Sequence, residues 1–201
     1  MVERVNGQLP ILLGVGSNCT RTVIETLQDQ EMMSGVDAVL VAVPYYNKPS
    51  QEGLYQHYKA IAQSTELPIV LYNVPGRTGV NMTAETTLRL ARDFENIVAI
   101  KEASGNMAQC MEILANKPQG FTVVSGEDAL VLPMIALGAQ GVISVAANAY
   151  PNIMSELVTH SLKSNMKKAR AVHEKLLPFS NAIFDEGNPT GIKAALEIMG
   201  I

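Results

Sequence analysis

Short runs of apolar, mostly β-branched residues alternate along the chain with longer segments in which apolar residues recur at helical spacing. The runs cover residues 10–15, 38–44, 68–74, 97–103, 121–125 and 141–147. They are apolar at successive positions, which is typical of parallel strands buried on both faces. Strand followed by helix, six times over, predicts a series of parallel βα units and an α/β fold.

The helical segments carry recognisable start and stop signals. Candidate N-caps are Thr20, Ser50, Thr83 and Asp128, and candidate C-terminal glycines are Gly35 and Gly138. After the sixth strand the pattern is helical only, over residues 153–162, 167–184 and 190–199. We therefore predict an incomplete (β/α) barrel over residues 1–150, and the last barrel helix with a partial C-terminal helical region over 151–201.

Two architectures fit this order, an open doubly wound sheet and a closed (β/α)₈ barrel. No Gly-x-Gly-x-x-Gly turn follows the first strand, which disfavours a dinucleotide-binding sheet. A closed barrel needs eight units, whereas the sequence has six. The prediction is a TIM-barrel-type chain with about two N-terminal units absent.

The composition and net charge of the chain disfavour some classes of binding partner. The chain is 47% hydrophobic and 17% charged, with a net charge of −4, which gives no reason to expect nucleic acid or an anionic membrane. No apolar run approaches the roughly 18 residues of a membrane span, and no secretory signal precedes the first strand. Cys19 and Cys110 are predicted to be reduced thiols. The three histidines, His57, His160 and His173, lie too far apart in sequence to show metal-ligand spacing. We predict a cytoplasmic protein without a metal.

Lys101 is the leading candidate for chemistry, because a lysine in a buried strand is costly as a charge. Strand alternation places it on one face with Ala99 and Ala103, whose small side chains leave room around its stem. Desolvation lowers the pKa of a buried ammonium, and the neutral amine can attack a carbonyl carbon to form a Schiff base. The alternative is a structural lysine at a strand end, paired with a carboxylate.

Tyr72 and Arg77 lie at and beyond the end of the third strand, in Tyr72-Asn-Val-Pro-Gly-Arg-Thr-Gly79. Catalytic groups of βα barrels lie at the carboxyl ends of the strands. A phenol there can relay protons, and the guanidinium of Arg77 suits a carboxylate. The alternative is a Pro-Gly turn with a packing tyrosine and a solvated arginine.

Three further candidate segments lie at the ends of predicted strands. Tyr45 and Tyr46 are adjacent, so in extended backbone they would point in opposite directions, one toward the site and one toward a subunit contact. Gly126 allows a ligand to approach the backbone closely, with Asp128 as a helix cap. Ile143 is a candidate pocket-lining residue. Aromatic and core packing are the alternatives for these segments.

Together these segments resemble the dihydrodipicolinate synthase / N-acetylneuraminate lyase family of class I aldolases. The resemblance extends from Gly14-Val-Gly-Ser-Asn18 to Asn188-Pro189, and its most specific element is Tyr72-Asn-Val-Pro followed by Ile100-Lys101-Glu-Ala-Ser. Within the family, Arg77 and the tyrosine pair favour the branch that acts on L-aspartate 4-semialdehyde over the sugar-acid lyases. The six units would then correspond to strands 3–8 of the family barrel.

The resemblance implies a reaction and a set of roles. Lys101 would bind pyruvate as an imine, without a cofactor, and the derived enamine would attack L-aspartate 4-semialdehyde to give 4-hydroxy-tetrahydrodipicolinate in the diaminopimelate and lysine pathway. Tyr72 and Tyr46 would be catalytic in proton relay, with Tyr46 reaching a neighbouring subunit. Arg77, Gly126 and Ile143 would bind substrate. The family also implies a homotetramer built as a dimer of dimers.

The family's Gly-Thr-Thr-Gly-Glu segment, which holds the pyruvate carboxylate, does not occur in this sequence. Its absence agrees with the count of strands, so we expect a chain shortened at the N-terminus and curtailed at the C-terminus. Two alternative functions remain: another pyruvate-dependent aldolase acting on a keto sugar acid, and a catalytically impaired remnant.

Overall fold

A computed structural model describes residues 2–201 of the chain. The chain forms two compact units, one ending at Thr122 and the other running from Val123 to Ile201. These units are defined by internal packing, and the predicted division of domains at residue 150 stays a prediction.

The first unit is built on parallel strands. They are β1 (Leu12–Val15), β2 (Ala38–Ala42), β3 (Ile69–Asn73) and β4 (Ile97–Glu102). Its helices are α1 (Val2–Val5), α2 (Thr20–Gln28), α3 (Gln30–Met33), α4 (Gln51–Ala62), α5 (Pro75–Thr78), α6 (Ala84–Asp93) and α7 (Met107–Asn116). Each strand pairs in parallel with the next one along the chain, as the alternation of strands and helices predicts.

The second unit begins within strand β5 and is mainly helical. Its strands are β5 (Thr122–Ser125) and β6 (Gly141–Val142), which pair in parallel. Its helices are α8 (Val131–Ala136), α9 (Pro151–Leu162), α10 (Met166–Ala182) and α11 (Thr190–Ile198), with 3₁₀ turns at Asp128–Leu130 and Ala146–Asn148. The three predicted C-terminal helices are thus confirmed to within a few residues.

Strand β6 is shorter than the run predicted over 141–147. The backbone leaves the extended conformation after Val142, because side chains capture the following N–H groups. The carboxylate of Asp128 accepts hydrogen bonds from the N–H groups of Val145 (3.1 Å) and Ala146 (2.8 Å). Ser144 Oγ accepts a third from Ala147 at 2.9 Å. The apolar residues of this segment therefore line a turn instead of a strand.

The predicted caps are partly right. Ser50 and Thr83 each accept a hydrogen bond from the backbone N–H three residues later, at 3.1 and 3.3 Å, as N-caps do. Thr20 is one residue inside its helix, which begins after Cys19. Asp128 does not cap the next helix, because its carboxylate is committed to the turn after β6. Two of the four predictions are therefore wrong.

The core of the first unit lies against its strands. Val39, Val41, Ile69, Leu71 and Ile100 have no exposed surface. Helix α4 packs on strand β2 through buried Tyr58, whose hydroxyl donates a 2.8 Å hydrogen bond to the carbonyl of Val41. None of the helices in residues 2–201 is both long enough and apolar enough to cross a membrane.

Candidate active site

Lys101 is buried within the sheet of the first unit, with 9% of its surface exposed. It lies in strand β4 between Ile100, which is fully buried, and Glu102, which is 1% exposed. Ala99 and Ala103, two positions away on either side, are also buried. Strand alternation places these small residues on the same face as Lys101, so the predicted environment of the lysine stem is present.

Tyr72 in strand β3 is the direct register partner of Lys101 in strand β4. Directly paired residues of adjacent strands project to the same face of a sheet. The Lys101 Nζ atom lies 4.2 Å from the centroid of the Tyr72 ring, within the range of a cation–π contact. The structure thus brings together the two residues that the sequence paired at a separation of about 30 positions.

Arg77 lies on the short helix α5, four residues beyond Asn73, which is the last residue of strand β3. Pro75 occupies the first turn of that helix, and Gly79 ends it with a left-handed φ of 74° while its N–H bonds to the Pro75 carbonyl at 2.9 Å. Proline at the start and glycine at the end fix a single helical turn. Arg77 is exposed on that turn, and its predicted contact with a substrate carboxylate remains a prediction.

Tyr46 does not lie in extended backbone, which corrects the prediction that the tyrosine pair points in opposite directions along a strand. Its φ is 70°, and the N–H of Asn47 donates to the carbonyl of Tyr45 at 2.8 Å across it. The N–H of Tyr46 bonds to the Thr78 carbonyl at 3.2 Å. This tight turn leaves the Tyr46 side chain 85% exposed, so it projects from the first unit instead of packing on it.

Gly126 and Ile143 belong to the second unit, where each follows the end of a strand. Gly126 comes directly after β5 and Ile143 directly after β6. The N–H of Ile143 bonds to the carbonyl of Ser125 at 2.9 Å, so the two segments lie side by side. Both residues are half-buried. Their predicted contact with a substrate remains a prediction.

A buried polar cluster behind the Lys101–Tyr72 pair was missed by the sequence reasoning. Asn73 and Glu102, which directly follow Tyr72 and Lys101, are 0% and 1% exposed and are joined by a 3.0 Å hydrogen bond. Gln109 of helix α7 donates to the same Glu102 oxygen at 3.1 Å. Polar residues inside otherwise apolar strands were the available signal, but their partners lie on other elements.

Two other buried titratable groups of this unit, Cys110 and His57, have ordinary structural explanations. Burial, and then the negative charge of Glu102, raise the pKa of Cys110 to about 11, which keeps it a thiol at neutral pH. Burial lowers the pKa of His57 to about 4. Among residues 2–201, no group of three or more His, Cys, Asp or Glu side chains has the arrangement of a metal site.

A buried lysine and its tyrosine partner on adjacent parallel strands, with an arginine on the helical turn beyond, are an arrangement typical of α/β enzymes of the (β/α)-barrel type. The sequence profile of the dihydrodipicolinate synthetase family matches residues 1–201. The chain therefore belongs to that family, and the predicted family, fold class and lyase class are confirmed.

Named relatives are highly similar along the whole chain. The 4-hydroxy-tetrahydrodipicolinate synthase of Phocaeicola vulgatus is 62% identical over 201 residues, which are 100% of this chain and 67% of that protein. A crystal structure of dihydrodipicolinate synthase superposes with a TM-score of 0.95 at 48% identity, over 99% of this chain and 68% of that one. The structure of a monomeric dihydrodipicolinate synthase variant matches with a TM-score of 0.95 at 44% identity, over 99% of this chain and 67% of that one.

Proposed function

We propose that this chain is a class I lyase that bonds pyruvate covalently through Lys101 and joins it to L-aspartate 4-semialdehyde. The observation that carries the proposal is the position of Lys101. It is buried, and its nitrogen faces the ring of Tyr72 on the neighbouring strand. The similarity to 4-hydroxy-tetrahydrodipicolinate synthases supports the choice of reaction.

The proposed chemistry begins at the amine nitrogen of Lys101. That nitrogen attacks the keto carbon of pyruvate, and loss of water leaves a protonated imine, which draws electrons from the neighbouring methyl group. A methyl proton leaves and an enamine forms. The enamine carbon bonds to the aldehyde carbon of L-aspartate 4-semialdehyde, and the amine of that substrate then displaces Lys101 as the ring of 4-hydroxy-tetrahydrodipicolinate closes.

The other site residues take supporting roles in this proposal. Tyr72, beside the reacting nitrogen, relays protons, and exposed Tyr46 extends that relay into the site of a neighbouring subunit. Arg77 receives the carboxylate of the semialdehyde, because a guanidinium binds a carboxylate with two parallel hydrogen bonds. For Gly126 and Ile143, which belong to the second unit, the predicted role in binding pyruvate is kept as part of the proposal. No cofactor is required, since the lysine itself supplies the electron sink.

The proposal extends to the setting of the enzyme. We propose a cytoplasmic location, because the proposed product is a precursor of lysine and diaminopimelate. We propose a homo-oligomer, a tetramer made as a dimer of dimers, because Tyr46 stands out from its own unit with most of its surface exposed. One solved relative is a monomeric variant, so sedimentation analysis of the purified chain is the test of the proposed tetramer.

The covalent step has a direct test. The chain is incubated with pyruvate and sodium borohydride, which reduces an imine to a stable amine, and is then digested for mass spectrometry. We expect the pyruvate-derived mass on the peptide that contains Lys101. Lys101→Met should abolish it, whereas Lys163→Met, at an exposed position, should not. An unmodified Lys101 in the folded wild-type chain would contradict the proposal and leave a catalytically impaired remnant.

A further inference from the structure

The two polar residues behind the candidate site connect three elements of the first unit. Asn73 Nδ2 donates to Glu102 Oε2 at 3.0 Å and to Asn81 Oδ1 at 2.8 Å, while Asn73 Oδ1 accepts from the N–H of Met82 at 3.0 Å. Asn73 therefore joins the end of strand β3 to the end of strand β4 and to the segment before helix α6.

The Glu102 carboxylate accepts two more hydrogen bonds, from residues that follow it in the chain. Its Oε2 also accepts from Gln109 Nε2 at 3.1 Å, and its Oε1 accepts from the N–H of Ser104 at 2.7 Å. All of these partners are N–H donors, so the position requires an acceptor with both oxygens available, which an ionised carboxylate provides. A buried carboxylate is tolerated only when it is satisfied in this way.

The pairing of strands β3 and β4 contains an irregularity close to the site. Ile69 pairs with Ile97, but Val70 pairs with Ala99, so the register shifts by one residue at Val98. Beyond the shift, Tyr72 pairs with Lys101 and Asn73 with Glu102. The register at Lys101 is consequently not set by the pairing at the start of the strands.

The uninterrupted register would place different residues side by side. Continuing from Ile69 and Ile97, Tyr72 would lie beside Ile100, and Asn73 beside Lys101. A slip of one residue turns every later side chain of a strand to the opposite face. Lys101 would then face helix α7, and Glu102 would leave both Asn73 and Gln109.

We propose that Asn73, Glu102 and Gln109 form a positioning cluster that selects the shifted register and so holds the amine of Lys101 against the ring of Tyr72. The cluster is satisfied only in that register, because Asn73 and Glu102 are direct partners there. In the uninterrupted register Glu102 would lose two of its donors while remaining within a buried strand, and an unsatisfied buried charge is strongly disfavoured.

The position of Lys101 relative to the Tyr72 ring can be measured by NMR without any enzymatic activity. In a chain with ¹³C-labelled lysine, the ε-methylene protons of Lys101 should be shifted upfield by the ring current of Tyr72. Lys101→Arg identifies the signal, and Tyr72→Leu gives the unshifted reference. We expect Glu102→Leu to abolish the upfield shift, and Glu102→Gln to reduce it, because an amide offers one acceptor oxygen where the carboxylate offers two.

A matched control and a second variant keep this test decisive. Glu112→Gln removes an exposed carboxylate from the same helix that carries Gln109, and it should leave the Lys101 signal unchanged. Gln109→Met removes one donor and keeps the carboxylate. The Lys101 signal is measured in this variant if circular dichroism shows that Glu102→Leu does not fold. An unchanged upfield shift in folded Glu102→Leu, or in both Glu102→Gln and Gln109→Met, would overturn the proposal.

The catalytic consequence rests on the proposed function and is measured separately. We expect the rate of borohydride-trapped imine formation at saturating pyruvate to fall at least about 10²-fold in Glu102→Leu, since a misplacement of about 1 Å already costs that much and a register slip moves the amine farther. Partial unfolding would instead lower the amplitude at an unchanged rate, and that result contradicts a positioning role. If the wild-type chain forms no adduct, the proposed function fails, and the lysine signal still decides the register.

Discussion

The side-chain oxygen of Thr20, at the start of helix α2, lies 2.8 Å from Nδ1 of His57 in the middle of helix α4. His57 is 5% exposed, and its Nε2 has no hydrogen-bond partner among residues 2–201. One ring nitrogen is hydrogen-bonded and the other is buried without a partner, so a protonated, charged imidazole would be poorly solvated and the neutral form is favoured. Burial accordingly lowers the pKa of His57 from 6.5 to about 4.

This histidine makes the stability of the protein depend on pH. The unfolded chain binds a proton on His57 below pH 6.5, whereas the folded chain binds it only near pH 4. The free energy of unfolding should therefore fall as the pH decreases from about 6.5 to about 4, with a contribution of up to about 3 kcal/mol. Urea unfolding of wild type and His57→Gln at several pH values isolates this component.

The matched control for that experiment is His160, a less buried histidine on helix α9. His160→Gln should retain the wild-type difference between neutral and acidic pH. A pH dependence that is identical in wild type and His57→Gln would show that His57 titrates alike in the folded and unfolded chain.

Tyr72 offers a way to separate its ring from its hydroxyl. Tyr72→Phe keeps an aromatic face over the Lys101 nitrogen but removes the proposed proton relay. Loss of general acid–base catalysis costs about 10²–10⁴-fold, so exchange of the pyruvate methyl protons with deuterated water, followed by NMR, should slow by that factor. Trapping of the imine should decrease less. Equal exchange rates in Tyr72→Phe and wild type would exclude the hydroxyl from the relay.

Arg77 should distinguish the two substrates of the proposed reaction. Arg77→Ala removes the guanidinium that we assign to the semialdehyde carboxylate and leaves Lys101 untouched. We expect consumption of L-aspartate 4-semialdehyde to fall at least about 10²-fold, since an unpaired charge–charge contact costs several kcal/mol, with pyruvate adduct formation unchanged. Unimpaired condensation in Arg77→Ala would favour an aldolase of the family that acts on another aldehyde.

Arg77→Lys provides the conservative comparison for this position. It retains the charge but not the planar pair of donors, so we expect an intermediate loss. Activity of Arg77→Lys equal to that of the wild-type chain would indicate that charge alone is needed.

Tyr58 links helix α4 to strand β2 through its buried hydroxyl. Tyr58→Phe removes the 2.8 Å bond to the carbonyl of Val41, and a buried hydrogen bond of this kind contributes about 1 kcal/mol. Chemical denaturation should show a decrease of that size in the free energy of unfolding. Tyr45→Phe, at a residue that is 44% exposed, should change it by less than about 0.5 kcal/mol.

Much of the architecture could be predicted from local pattern. The apolar run around Val70 and the run around Ile100 predicted adjacent buried strands, because consecutive βα units pair in order. That order also placed Tyr72 near Lys101. Chain length between the two residues and strand alternation sufficed for this, and neither depends on distant contacts.

Other features depended on contacts that no local pattern contains. Asp128 looked like a helix cap, but its carboxylate binds N–H groups that lie 17 and 18 residues later. The tight turn at Tyr46 follows from its contact with Thr78, since left-handed backbone at a tyrosine has no sequence signature of its own. Glu102 could be seen as an unusual strand residue, but its donors come from three segments.

The skipped residue at Val98 sets a condition for anyone who transplants this lysine–tyrosine pair into another parallel sheet. Grafting residues 69–72 and 97–101 from paired starting positions onto adjacent strands of regular pairing would leave Tyr72 and Lys101 one row apart. The recipient scaffold has to receive the backbone irregularity as well, so the smallest portable unit is a stretch of two strands and not a pair of amino acids.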